Sequence, residues 1–137
     1  MIVVKIVVDS YAWIEIFLGS EKGQSAFSAI QEAELVLTPE IVLAEIARKY
    51  IREGIAEKVI RARLNTVSQS SELTRIDEPI AVESGKTYLE LSKKAKESGR
   101  RKPSLFDAII LATARVNEAK VLTGDLHFRD LPDTIRL

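Results

Sequence analysis

Residues 2–10 run Ile-Val-Val-Lys-Ile-Val-Val-Asp-Ser, an almost unbroken series of β-branched side chains that stops at an aspartate. A strand with one wet face alternates apolar and polar residues. A continuous run is instead expected of a strand covered on both faces, the situation in parallel sheets. The stretch therefore predicts a central strand over 2–8. Ser10 is placed to cap a helix reaching about Leu18.

The flanking pattern agrees with that start. A helix is expected over 21–32, a strand at "ELVLT" (34–38), and a helix to about Glu53 with Pro39 at its first position. There the missing proline N–H costs nothing. Gly54 breaks that helix and another follows over 55–68. "LTRI" (73–76) reads as a short strand, after which Asp77 caps a long helix to about Glu97. "SGRRKP" (98–103) is a loop before a helix over 104–117. The strand "KVLT" (120–123), a helical turn near 126–130 and a last strand near 133–136 complete the chain. Strands alternating with helices predict an α/β fold with a largely parallel sheet. No repeat or linker divides the sequence, so residues 1–137 are expected to form a single domain.

Composition narrows the chemistry. Twenty Lys and Arg balance twenty Asp and Glu, so no global basic field marks a nucleic-acid binder, although a local patch is compatible with neutrality. With no cysteine and one histidine, disulfides, thiolate metal sites, a thiol nucleophile and a His-rich zinc site are excluded. Lys5, Asp9 and Glu15 interrupt the apolar N-terminus, which has the form of neither a signal peptide nor a membrane span. A soluble cytoplasmic protein is expected.

Ligand sites of open α/β sheets lie beyond the carboxyl ends of the strands, where strand order reverses. Asp9 follows the first strand directly, and Asp125 follows "KVLT" after one glycine. Asp107 lies in the first turn of the helix before that strand and can face the same edge. Each has an ordinary alternative. Asp9 could cap or support a helix start, and Asp125 could be a turn residue. Ser104 and Asp107 have the spacing of a capping box. Yet Asp107 shares a helix face with Ile110, Leu111 and Ala114, where a carboxylate needs a partner. Carboxylates crowded together raise one another's pKa unless a cation compensates, and Mg²⁺ is a hard ion that selects oxygen ligands. Glu45 reads differently. Helical geometry places it opposite the broad apolar face of its helix, grouped with Arg48, Lys49 and Arg52 as a solvated, ion-paired residue.

Four pieces in order, "VVDS", "PEIVLAE", "SLFDAIILATA" and "LTGDLHF", resemble the pattern of PIN-domain ribonucleases, and most nearly the VapC-type toxins of toxin–antitoxin pairs. The resemblance spans essentially the whole chain. It implies a PIN-like fold, a parallel sheet of about five strands flanked by helices on both faces, with acids at one end holding Mg²⁺ or Mn²⁺. Carried over by position, those acids are Asp9, Glu45, Asp107 and Asp125, with Ser10 and Thr123 as the accompanying hydroxyl residues. It also implies an RNA substrate, 5′-phosphate and 3′-hydroxyl products, a homodimer and a small antitoxin partner. One departure is His127, which stands two positions after the last aspartate, where some relatives carry a further acid or Asn. A lone loop histidine is more often incidental than functional.

Four carboxylates repel RNA, so flanking cations are needed. "KKAKESGRRK" supplies Lys93, Lys94, Lys96, Arg100, Arg101 and Lys102, and Arg48 with its neighbours forms a second group. Both could equally be solvated surface. Two other members of the same family class compete as readings: a housekeeping nuclease of ribosomal RNA maturation and a non-cleaving RNA- or protein-binding module. Retention of all four motif acids speaks against the latter. A phospho-acceptor receiver domain fits poorly, since no lysine follows "KVLT".

Overall fold

The structure is a computed structural model that describes residues 4–128 and 130–137. Among the described residues five strands form one sheet: β1 (Lys5–Val8), β2 (Leu35–Pro39), β3 (Glu72–Thr74), β4 (Lys120–Thr123) and β5 (Thr134–Arg136). The helices are α1 (Ser10–Leu18), α2 (Glu21–Glu32), α3 (Glu40–Arg52), α4 (Glu57–Ser70), α5 (Glu78–Glu97) and α6 (Leu105–Val116), with a short 3₁₀ turn at Leu126–Phe128. This is the expected α/β, PIN-like fold. All four strand pairings are parallel, and the order is β3-β2-β1-β4-β5.

Successive strand side chains point to opposite faces. In β1, Ile6, Val7 and Val8 are all essentially inaccessible to solvent, and so are Val121, Leu122 and Thr123 in β4. Both faces of the two central strands are therefore covered, which is why β1 has no polar alternation. Of the expected strand 2–8, Ile2 and Val3 lie outside the described residues, as does Arg129 of the expected turn 126–130. Helix α6 packs across β1, β2 and β4 with α5 against it, and its residues Asp107 to Ala114 are all buried. A helix buried nearly all round explains the run "AIILATA". The remaining helices interlock, α1 with α2 and α3, and α3 with α4.

Several boundaries shift for local reasons. Asp9, not Ser10, caps α1: its Oδ1 accepts from the Ala12 N–H at 3.0 Å, and Ser10 becomes the first helical residue. Pro39 pairs with Thr74 as the last residue of β2 and stands at the N-cap of α3, one position earlier than expected. The strand expected at 73–76 is Glu72–Thr74, and the helix expected at 55–68 is Glu57–Ser70. Ser104 and Asp107 do form the capping box of α6.

The chain moves from β1 outward through β2 to β3. Helices α5 and α6 then return it across the sheet, so that β4 lands on the other side of β1. Strand order thus reverses between β1 and β4, and a crevice opens beyond their carboxyl ends. Asp9 and Asp125 follow those two strands.

Helices α1 and α2 cross at close range. A Cβ built on Gly23 would lie 2.1 Å from the Glu15 carbonyl oxygen, a backbone atom that cannot rotate away. Gly23→Ala should therefore force the helices apart and cost about 1–3 kcal/mol, the usual penalty of overpacking. Urea unfolding measures it, and an unchanged midpoint would contradict the close crossing.

Candidate functional site

The crevice is organised by one hydroxyl. Thr123, the last residue of β4, donates its hydroxyl to Asp9 Oδ2 at 2.5 Å and accepts the Asp125 N–H at 2.9 Å. Asp9 is thus held through both carboxylate oxygens, one by the start of α1 and one by the end of β4. The chain turns at Gly124 against the Tyr11 ring, where a Cβ would sit 2.4 Å from a ring carbon. Only glycine allows that contact, and the turn swings Asp125 back over the sheet edge.

Glu45 arrives from α3. Its Oε2 accepts the Ser10 hydroxyl at 3.3 Å, while Oε1 is buried with no hydrogen-bond partner among the described residues. This overturns the solvated, ion-paired placement read from helical geometry. Lys49 pairs with Glu53 instead, and among the described residues Glu45 forms no salt bridge. The cause is a second neighbour: α3 packs on α1 as well as on the sheet and α4. A one-face count of apolar residues does not register that contact. Asp107 completes the set from the first turn of α6. Its Oδ2 accepts the Ser104 N–H at 3.1 Å and also lies 3.2 Å from His127 Nδ1. Helix capping and orientation into the crevice are not alternatives for this residue.

Among the described residues, Asp107, Asp125 and His127 bring ligand atoms within 4.8 Å of one another, and Asp9 and Glu45 are coupled to that group by charge. Burial pushes Asp9 from an ordinary 3.8 up to about 7, against the Thr123 and Ala12 hydrogen bonds, with the Asp125 and Glu45 charges adding to the rise. Glu45 rises from 4.5 to about 7, through burial first and then the Asp107 charge. The Ser10 bond and Arg48 oppose this, and Asp125 reinforces it. Asp107 is likewise raised by burial, with the Asp125 charge contributing and the Ser104 bonds and His127 pulling it down. Four carboxylates from α1's cap, α3, α6 and the β4 turn thus face one crevice with little compensating charge. A donor set of four carboxylates, an orphaned buried Glu45 oxygen and weakly compensated negative charge suit a divalent cation.

The cationic candidates divide. Arg100 and Arg101 line an open pocket of about 470 Å³ beside Asp125, together with Tyr11, Leu126 and His127. Arg100 also pairs with Asp130 at 3.2 Å. Lys102 turns away onto the Tyr88 ring, and Arg48 is exposed next to Glu45. Two residues of the site escaped the sequence. Tyr11 carried no signal, being one aromatic in an apolar helix. His127 was visible only as a departure from a pattern.

Residues 6–133 match the PIN domain family. No curated protein matches the sequence at a significant level. Among solved structures, the Mycobacterium tuberculosis toxin VapC20, described as cleaving the Sarcin-Ricin loop, is similar with a TM-score of 0.70 at 18% identity, covering 96% of this chain and 99% of that one. DNA-bound VapBC from Salmonella typhimurium gives 0.69 at 19% identity, with 97% and 96% covered. A toxin–antitoxin complex from Klebsiella pneumoniae gives 0.67 at 20% identity, with 95% of each chain covered.

Without a bound cation, Asp9, Glu45 and Asp107 hold protons more tightly in the folded than in the unfolded chain. The contribution of Asp9 and Glu45 to stability is complete below their ordinary values of 3.8 and 4.5 and is lost as pH rises through about 7; that of Asp107 is lost in the same direction. Urea unfolding in EDTA should therefore show stability from these groups falling across that window. Asp9→Asn, which keeps the cap, should flatten the fall. A variant profile parallel to wild type would contradict the assignment.

Proposed function

The chain belongs to the PIN domain family, and from that premise we propose that it is a Mg²⁺- or Mn²⁺-dependent endoribonuclease, the toxin of a VapBC-type toxin–antitoxin pair. The observation that carries the reading is the convergence of Asp9, Glu45, Asp107 and Asp125 at the switch point of the sheet, with Glu45 Oε1 buried and unpartnered. Asp9, Asp107 and Asp125 would hold the cation, and Glu45 would either join them or orient the attacking water. When bound, a divalent cation supplies Lewis-acid activation of water and neutralises charge on the phosphate.

The chain's own residues do the rest. Thr123 fixes the Asp9 carboxylate and the Asp125 turn relative to each other, and Ser10 sets the rotation of Glu45. The capping box keeps Asp107 aimed inward, and the α6 N-terminus favours its ionised form. Water attacks phosphorus in line with the departing 3′-oxygen, so that one strand end keeps a 5′-phosphate and the other a 3′-hydroxyl. Arg100 and Arg101, on the wall of the adjoining pocket, would engage flanking phosphates. Arg48 stands ready on the Glu45 side, and Lys102 is the weaker candidate because its ammonium lies over Tyr88.

Residues 1–137 then constitute one PIN domain. A second copy of the chain and a small antitoxin are its proposed partners, and the similar toxin–antitoxin complexes support the latter. Among the described residues no helix is long and apolar enough to cross a membrane, which accords with a cytoplasmic role.

Purified protein incubated with total RNA should cleave it when Mg²⁺ or Mn²⁺ is supplied and not in EDTA, and Asp107→Asn should reduce cleavage to background with the fold retained. Mapped ends should carry 5′-phosphates. Cleavage by the variant at the wild-type rate would sink the assignment. Replacing Arg100 and Arg101 by Ala should weaken RNA binding and lower the slope of log affinity against log salt by roughly 1–2. An unchanged slope would make both residues bystanders.

A further inference from the structure

We propose that His127 is a nitrogen ligand of the cation in this crevice, which makes the site a mixed nitrogen–oxygen centre selecting Mn²⁺ over Mg²⁺. The inference rests on the metal-dependent reading above and goes beyond it by naming a further ligand and the preferred ion.

His127 sits in the 3₁₀ turn that follows Asp125, and its own N–H donates to Asp125 Oδ1 at 2.9 Å. That bond folds the turn back, so the imidazole returns to the carboxylates instead of leaving for solvent. Its Nδ1 then lies 3.2 Å from Asp107 Oδ2 and 3.2 Å from Asp125 Oδ1. Ligand atoms of the three side chains all fall within 4.8 Å of one another.

Donors about 2.1 Å from one octahedral ion and at right angles to each other are roughly 3 Å apart. The two 3.2 Å separations match that spacing. A hydrogen-bonding role fits less well. Nδ1 carries at most one proton, which serves one acceptor well, whereas here two carboxylate oxygens are equidistant. Among the described residues, His127 is also the one side chain within salt-bridge distance of Asp107 or Asp125. Lysines and arginines leave that space to it.

A nitrogen donor changes the choice of ion. Mg²⁺ favours an all-oxygen octahedron and gives up its water reluctantly, whereas imidazole suits the transition metals. Mn²⁺ accepts both carboxylate and imidazole. A carboxylate at position 127 would remove that discrimination and restore an oxygen-only site.

The full-length chain, stripped of metal and titrated with Mn²⁺, reports binding through loss of the free-ion electron paramagnetic resonance signal. Electron spin-echo modulation then reads any directly bound nitrogen. The wild type should show imidazole nitrogen coupling that changes on ¹⁵N-histidine labelling, and since His127 is the only histidine the assignment is unambiguous. His127→Asp and His127→Ala, checked for retained fold by circular dichroism, should lose the coupling. In competition, wild type should need about tenfold more Mg²⁺ to displace Mn²⁺ than His127→Asp does. Bound Mn²⁺ without nitrogen coupling would overturn the inference and leave the metal-dependent nuclease reading standing. Failure of Mn²⁺ to bind at all would overturn both.

Discussion

Four carboxylates held at one end of a parallel sheet are the constraint around which this chain is organised. Like charges a few ångströms apart repel strongly where water is scarce, and burial alone makes ionisation expensive. The fold responds by anchoring each acid with neutral donors rather than with cations. Asp9 receives the Ala12 N–H and the Thr123 hydroxyl, Glu45 receives Ser10, and Asp107 receives the Ser104 N–H. These bonds fix position without neutralising charge. The deficit of positive charge is left for something that binds from outside.

The scaffold explains how that arrangement is tolerated. Asp9 directly follows β1 and Thr123 ends β4, strands whose side chains are buried on both faces, and Asp107 lies in the first turn of a helix buried along most of its length. These acids are thus mounted on or beside buried elements rather than on free loops. Asp125 is the exception, but its turn is tied by the Thr123 hydroxyl and by the Arg136 guanidinium on its carbonyl at 2.9 Å. The same anchoring implies a conflict between stability and function. Empty, the site opposes folding at neutral pH; a bound cation would offset that cost.

Much of this was legible in the sequence. The unbroken apolar run ending at Val8 identified a doubly covered strand, and the alternation of elements identified a parallel sheet. The rule that sites form beyond strand ends then brought Asp9, Asp107 and Asp125 to one edge. Glu45 was not legible from its helix, because its burial comes from α1, an element distant in sequence that packs against a side the apolar count leaves polar. Only the resemblance to a known pattern placed it in the site. Ser10 and Asp9 both suit the α1 cap that Asp9 supplies, since both residue types cap well and spacing does not separate neighbours. From sequence His127 reads as an incidental loop histidine, because its place beside the acids depends on a turn closed by Asp125.

The account rests on the claim that these acids form a divalent-cation site. A crystal of the protein grown with Mn²⁺ and recorded at a wavelength where manganese scatters anomalously tests it most directly. An anomalous peak enclosed by Asp9, Asp107 and Asp125, within reach of Glu45 Oε1, is the predicted result. A crevice with no anomalous density at saturating Mn²⁺ would contradict the account.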